Sequence, residues 1–374
     1  MGKNLMKVVI SGVNLVEGGP LKVFKEAITA FSENNEYEVI CLVNNKLLFS
    51  EFFNKNIQFL EYPQIKASWL KRLYFEYWQC RKLSLTLKAD IWLAMHDMTP
   101  NILFGKQFVY CHNPSPFYVS NLNDLKFDYK FTLFTLFYKW LYKINIKKNT
   151  AVIAQQQWIA DFFTTKLSAK STIVAKPSET LAVKDIASSS FVKLNNDKVI
   201  FFYPALARTF KNFELLLNAF DFLRNNDNII YKKIELVLTL DKNSSRYEKS
   251  LFNKYSHLKQ VKFVGRLSKE EVENYYINSD VVAFPSKLET WGLPITEAKS
   301  FNKPILLADM PYAYETLGDY NLVKFINVND YEELANTIKS IVLKKNVFSA
   351  SKFKESTNTR NSWSELINKI VSLT

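Results

Sequence analysis

Glu289 and Glu297 are two carboxylates separated by seven residues, Thr290-Trp291-Gly292-Leu293-Pro294-Ile295-Thr296, whose composition is that of a turn entering a helix. The apolar run Val281-Val282-Ala283-Phe284 predicts a short buried strand, Pro285-Ser286 stops it, and Pro294 falls where a first helical turn tolerates a missing N–H. Glu289 is thereby placed in the loop and Glu297 early in the helix. Between them the backbone N–H groups of Trp291, Gly292 and Leu293 lie near a helix N-terminus, a place suited to a diphosphate, and Gly292 lets another molecule approach the backbone closely. An ionised Glu only accepts hydrogen bonds, so the two carboxylates suit the hydroxyls of two different sugar rings.

The elements around this turn carry a wider pattern. Upstream, Val261-Lys262-Phe263-Val264-Gly265-Arg266-Leu267 is followed by Glu270, Glu271, Val272, Tyr275, Tyr276 and Ser279-Asp280; downstream comes Asn302-Lys303-Pro304-Ile305-Leu306-Leu307-Ala308. Further back, Phe201-Phe202-Tyr203-Pro204 precedes Arg208-Thr209-Phe210-Lys211-Asn212-Phe213-Glu214. Together these segments strongly resemble the ordered motifs of the retaining glycosyltransferases of family 4 (glycosyltransferase group 1), including their E-x7-E signature. Asn302 stands where that family usually has glycine, and Asn tolerates the left-handed conformation. The resemblance implies the GT-B fold, α/β, with two Rossmann-like parallel-sheet domains facing each other across a cleft. It implies that Arg208 and Lys211 bind the donor diphosphate, Glu297 the ribose and Glu289 the transferred sugar. Gly265, Arg266, Thr290, Trp291, Gly292 and Leu293 complete the implied donor site. Two cations at the positive end of a helix dipole are unfavourable alone, which independently argues for an anionic ligand there.

The N-terminal half begins as a parallel-sheet domain should. Met6 to Ser11 predicts a first strand, Asn14 to Pro20 a loop containing Gly18-Gly19, Leu21 to Phe31 a helix and Glu38 to Val43 the next strand. The three-glycine dinucleotide fingerprint is missing, and with eight glycines in the whole chain a nicotinamide site is not expected. In the family resembled, the Gly18-Gly19 loop lies beside the donor diphosphate. The run Gln107 to Cys111 predicts another strand, which leads into His112-Asn113-Pro114. His112 therefore sits at a strand's carboxyl end, the edge that faces the ligand crevice of an open α/β sheet, and the family pattern gives it a contact with the transferred sugar. His96-Asp97, after the strand Ile91 to Ala94, is a weaker neighbour.

At 374 residues the chain exceeds the size of a single core. Boundaries are expected at 1–180 for an acceptor-binding domain, 181–355 for a nucleotide-sugar domain and 356–374 for a terminal helix, with a linker near 176 to 197. No segment reads as a signal peptide or a membrane span. The cysteines Cys41, Cys80 and Cys111 have neither metal spacing nor a disulfide pattern, in keeping with a reducing, cytoplasmic compartment. No two aspartates stand one residue apart, so no metal or other cofactor is expected.

The charge balance is strongly basic, 49 Lys and Arg against 36 Asp and Glu, a net +13. Two stretches, Lys66 to Lys88 and Lys126 to Lys148, combine this charge with aromatic residues at helical spacing: Leu70, Leu73, Tyr74, Tyr77 and Trp78 in one, Phe134, Phe137, Tyr138, Leu141 and Tyr142 in the other. Trp, Tyr, Lys and Arg together suit an anionic lipid interface, predicting a peripheral contact with the inner membrane surface unless the stripes face the core. The expected activity is metal-independent, retaining transfer of a sugar from a nucleotide-sugar donor to a saccharide or lipid-linked saccharide acceptor, of the lipopolysaccharide or capsule kind. A sugar-nucleotide epimerase or hydrolase on the same fold is the alternative. Nucleic acid is not an expected partner, because the charge comes with no helix-turn-helix, zinc or RNA-binding motif.

Overall fold

A computed structural model describes residues 5–53, 55–176, 197–353 and 359–374, so the expected linker lies, apart from its ends, outside the described residues. The strands in chain order are β1 (Met6–Ser11), β2 (Tyr37–Val43), β3 (Ile57–Glu61), β4 (Ile91–Ala94), β5 (Lys106–Cys111), β6 (Ala151–Ala154) and β7 (Thr172–Ala175), then β8 (Val199–Tyr203), β9 (Ile234–Leu238), β10 (Val261–Phe263), β11 (Val281–Phe284), β12 (Ile305–Ala308), β13 (Tyr320–Ile326), β14 (Ser349–Ser351) and β15 (Thr359–Arg360). They form two sheets, in the orders β15-β7-β6-β5-β4-β1-β2-β3 and β10-β9-β8-β11-β12-β13-β14. Every pairing is parallel except β13 with β14. Parallel strands are covered on both faces, and the central ones are accordingly continuous apolar runs: β4, β6, β11 and β12 are buried at every residue. The chain is an α/β protein of two parallel-sheet domains.

Two compact units follow. One comprises residues 1–117, 134–180 and 356–374, the other residues 118–133 and 181–355. Residues 118–133 thus cluster with the second unit although the surrounding sequence builds the first. In the first unit the terminal helix Trp363–Ser372 lies against the helix Gly18–Ser32: Leu366, Ile367 and Ile370 join its core and the Trp363 ring stacks on Tyr110. Gly18 and Gly19, expected in a loop, instead form the first turn of that helix, with Gly18 at φ +72°. The preceding Glu17 supplies no side-chain cap, so the helix opens on exposed backbone N–H groups.

The two basic, aromatic stretches are helical and two-sided. The helix Trp69–Tyr74 passes through a π-helical turn, Phe75–Gln79, into the helix Cys80–Leu87. Arg72, Glu76, Cys80 and Ser84 are all buried, at four-residue steps. That spacing drifts off one face of a uniform 3.6-residue helix, and a single wider turn absorbs the drift. The turn carries Glu76 into the first unit with no exposed surface. Its Oε1 lies 3.3 Å from Nε2 of His96, also fully buried, and the same nitrogen is 3.2 Å from the Ser11 hydroxyl. Arg72 donates from Nη2 to the His96 carbonyl at 2.8 Å. Burial pushes the Glu76 carboxyl up to about 8, against the opposing pull of Arg72, and burial pushes the His96 imidazole down to about 3. At neutral pH the proton of this pair therefore resides on Glu76.

An acid with a raised folded-state pKa binds its proton more tightly in the native than in the unfolded chain, so its contribution to stability is lost as pH rises from the ordinary Glu value towards about 8. Glu76→Gln keeps the neutral form at every pH, while the opposite contribution of His96 remains common to both proteins. The melting-temperature difference between Glu76→Gln and wild type is expected to grow in favour of the variant from pH 5 to pH 8.5, by roughly 2–4 °C for each kcal/mol in a domain of this size. A difference independent of pH would show that Glu76 is ionised throughout.

Candidate functional site

In the second sheet the strand order reverses between β8 and β11: β9 and β10 follow β8 on one side, β12 and β13 follow β11 on the other. The carboxyl ends of the strands flanking such a reversal leave a crevice that no crossover covers. The segment after β8 holds Arg208 and Lys211, and the segment after β11 holds Glu289. Parallel pairing of β8 with β11, Val281 opposite Phe201 and Val282 opposite Phe202, brings both segments to one edge. There Lys211 Nζ forms an ion pair with Glu289 Oε1, both side chains mostly buried. The ammonium also lies 5.5 Å from the centre of the Phe284 ring, and the Lys211 carbonyl accepts a hydrogen bond from the Tyr203 hydroxyl at 2.8 Å. Asn212, in the left-handed region at φ 58°, donates from Nδ2 to the carbonyls of Pro285 and Val328, tying together the loops after β8, β11 and β13.

Gly292 is the cap of the helix Leu293–Ser300, at φ +75°, with Pro294 in the first turn. A Cβ there would lie 3.1 Å from Ile295 Cδ1 and 3.6 Å from Glu289 Cγ. The turn is therefore conformationally restricted to glycine and packed close beneath Glu289. Glu297, one turn into the helix, accepts the Tyr276 hydroxyl at 2.8 Å through Oε2, leaving Oε1 for another donor. Leu293 is exposed, and the Trp291 carbonyl accepts the Thr316 hydroxyl. Gly265, φ +76°, has open space where a Cβ would stand, and its neighbour Arg266 is exposed. Arg208 is exposed as well and reaches Asp128 at 3.0 Å. The arrangement supplies a cation, two acceptor carboxylates and a glycine-capped helix start within one strand-edge neighbourhood, the groups needed to hold an anion between hydroxylated rings.

The first sheet has its own reversal, between β1 and β4, and Ser11, His96 and Asp97 stand at or just beyond those strand ends. Asp97, at φ 72°, accepts the backbone N–H groups of His112 and Asn113 at 2.6 and 3.1 Å. His112 lies over the Tyr110 ring, 4.6 Å between centres, and burial holds its imidazole down at about 4, so it is neutral at physiological pH. Asp97 is thus the residue that fixes the His112 turn. Tyr276 and Asp128 likewise complete the second-domain site, and neither announces this in the sequence: a tyrosine twenty-one residues before Glu297 and an aspartate eighty before Arg208 become partners only through the fold.

Residues 183–360 match the family model of the glycosyl transferases group 1. Among curated proteins none matches the sequence significantly. Among solved structures, the lipopolysaccharide outer core galactosyltransferase WaaB in its apo form is similar with a TM-score of 0.64 at 13% identity, over 99% of this chain and 100% of that one. Anabaena Alr3699/HepE in complex with UDP and glucose gives 0.53 at 15% identity, over 98% and 97%. Sucrose-phosphate synthase from Thermosynechococcus elongatus gives 0.58 at 14% identity, over 98% and 94%. At these identities the likeness is one of fold, that of the GT-B glycosyltransferases. The strand-edge pair Lys211–Glu289 and the Gly292 turn both fall inside residues 183–360, the part of the chain that is similar to the glycosyl transferases group 1.

Proposed function

We propose that the protein is a retaining glycosyltransferase that moves a sugar from a nucleoside diphosphate donor to a hydroxyl of a lipid-linked saccharide, in the biosynthesis of a cell-surface polysaccharide. The observation that carries this reading is the Lys211–Glu289 pair at the strand-order reversal beside the Gly292 helix start. In the reaction the bond from the anomeric carbon to the diphosphate oxygen breaks and a bond to the acceptor oxygen forms on the same face. The acceptor proton passes to the departing phosphate. Negative charge grows on the diphosphate, and Lys211, Arg208 and the backbone N–H groups around Gly292 stabilise it, with no metal required. Glu289 orients the transferred sugar through its hydroxyls, and Glu297 Oε1 accepts from the ribose. Gly265, Arg266, Thr290, Trp291 and Leu293 line the donor; the roles of His112, Gly18 and Gly19 rest on the family pattern. UDP is the first donor base to test, since it is the nucleotide bound by Alr3699/HepE.

The acceptor side of the proposal rests on the first domain's surface. In the helix Tyr129–Lys143 and just beyond it, Tyr138 and Tyr142 are buried, whereas Leu136, Phe137, Trp140 and Ile144 are exposed at helical spacing. On the neighbouring helix, joined to it through the Trp69 contact with Tyr138, Leu70, Tyr74 and Trp78 are exposed beside Lys71, Arg81 and Lys82. Apolar and aromatic side chains ringed by cations match an anionic lipid surface. No helix among the described residues is long and apolar enough to cross a membrane, so the contact proposed is peripheral, at the inner face of the cytoplasmic membrane.

UDP is expected to raise the melting temperature in a concentration-dependent way and to lose that effect in Lys211→Ala; no shift with UDP, GDP, dTDP, ADP or CMP would remove the donor reading. With the donor so identified, Glu297→Ala is expected to raise the donor KM roughly tenfold with kcat little changed, the worth of one or two hydrogen bonds. Lys211→Ala is expected to lower kcat itself by about 100-fold or more. In liposome flotation the protein is expected to rise with anionic vesicles and not with neutral ones, and Phe137→Ser with Trp140→Ser is expected to abolish the flotation while leaving UDP stabilisation intact.

A further inference from the structure

The second domain contains a further polar pocket, open at the surface and about 210 Å³ in volume. It lies where the turn Thr209–Asn212 meets the start of the helix Phe213–Asn226, and its walls include Thr209, Glu214, Lys287, Asn123, Asn329 and Tyr331. Two of these groups, one buried and one half-buried, are not consumed by neighbours. Thr209 is 8% exposed and its hydroxyl has no hydrogen-bond partner among the described residues. Lys287 is half-buried and makes no ion pair or hydrogen bond through its ammonium among the described residues; its charge faces Glu214 and the buried Asp124. Glu214 accepts the Tyr247 hydroxyl at 2.6 Å through Oε2, and its carboxyl also takes its own backbone N–H. Leaving a desolvated hydroxyl and a partly desolvated ammonium unsatisfied is costly, and a ligand that satisfies both recovers that cost.

The chemistry of the walls selects the ligand class. Two carboxyl groups face one ammonium, so a second anion would be repelled. A neutral hydroxylated group can instead donate to the remaining lone pairs of the Glu214 carboxylate and accept from Lys287, Thr209 and the asparagine amides. Tyr331, partly exposed, offers an aromatic face to the apolar side of such a ring. The volume is below the roughly 300 Å³ at which drug-sized ligands are accommodated, enough for one ring and too little for a nucleotide. We propose that this pocket binds a single neutral sugar residue, separately from the nucleotide-sugar site. The two sites share covalent structure: Lys287 and Glu289 are two residues apart on one loop, the Lys287 N–H donates to the Phe210 carbonyl at 2.7 Å, and Thr209 and Lys211 flank that same Phe210. A sugar held on Thr209 and Lys287 therefore steadies the loop pair that carries Lys211 and Glu289.

The pocket takes its sugar either free or as a unit of a saccharide chain. Saturation-transfer NMR of the full chain with the methyl glycosides of glucose, galactose, mannose, rhamnose and N-acetylglucosamine, and with the corresponding disaccharides, separates these sources. At least one glycoside is expected to give a signal that weakens roughly tenfold in affinity in Thr209→Val and in Lys287→Met. The signal is expected to persist in Lys211→Ala, which removes nucleotide binding, so failure of the donor site and failure of this pocket read out independently. A stronger response to disaccharides than to monosaccharides assigns the pocket to a chain, and equal responses assign it to the free sugar. Absence of any glycoside signal, a signal untouched by both substitutions, or its displacement by inorganic phosphate with stabilisation that depends on Lys287 would overturn the proposal. Asn329→Ala, at an exposed position, serves as the test should either buried substitution fail to fold.

Discussion

An open parallel sheet must put all its carboxyl ends on one edge, and wherever the strand order reverses that edge is left uncovered. This constraint organises the second domain. It brings the loops after β8 and β11 together although the residues they carry, Lys211 and Glu289, are seventy-eight apart in the chain. Each loop is then held from below: Asn212 binds the carbonyls of Pro285 and Val328, Tyr203 holds the Lys211 carbonyl, and Tyr312 donates to the Ser286 carbonyl at 2.7 Å. The ion pair is thus an outcome of topology fixed by neutral hydrogen bonds. The ammonium is therefore positioned by its own loop's hydrogen bonds, the kind of preorganisation that stabilising a growing negative charge would require.

The first domain meets the same constraint with a different device. At the reversal between β1 and β4 it buries Arg72, Glu76 and His96, with Asp97 half-buried beside them. One guanidinium faces two carboxyl groups that desolvation pushes up, so a proton stays in the cluster, on the fully buried Glu76. Asp97 keeps its oxygen for the N–H groups of His112 and Asn113, and the His112 turn inherits its geometry from that choice. The π-helical turn is what makes the arrangement reachable, since it alone lets Glu76 follow Arg72 and precede Cys80 and Ser84 on one inward face.

Where hydrophobic pattern and turn chemistry agree, the fold was legible in the sequence. The strands at 6–11, 91–94, 151–154, 172–175, 199–203 and 281–284 stand where the apolar runs place them, and Asn302 adopts the left-handed conformation that replaces the expected glycine. β9 starts at Ile234 although Glu235 interrupts its apolar run, because the Glu235 carboxylate pairs with Lys262 of the neighbouring β10. β3, β13 and β15 carry too many polar or exposed residues to register as buried strands, and they occupy or approach sheet edges. Of the site, the Glu289–Glu297 turn was readable because its signal is local and Asp97 was legible only as a weaker neighbour of His112; the roles of Tyr276 and Asp128 were not, because their partners come from other elements. Glu76 could be noticed only as the single acid in a stretch of six cations.

The helix Tyr129–Lys143 shows why pattern alone stops short of function. Its apolar residues fill more than one stripe, and periodicity cannot say which stripe the core takes. The fold resolves this by size and hydrogen bonding: Tyr138 and Tyr142 turn inward, where Tyr142 donates to the Asn113 carbonyl at 3.0 Å, while Phe137 and Trp140 stay outside. A buried tyrosine needs a partner for its hydroxyl, and the turn after β5 provides one. The outer stripe is then left with no protein surface among the described residues to cover it, and cations rather than carboxylates stand beside it. Inward-facing tyrosines thus connect this helix to the turn after His112, while the same helix leaves its remaining aromatic residues exposed.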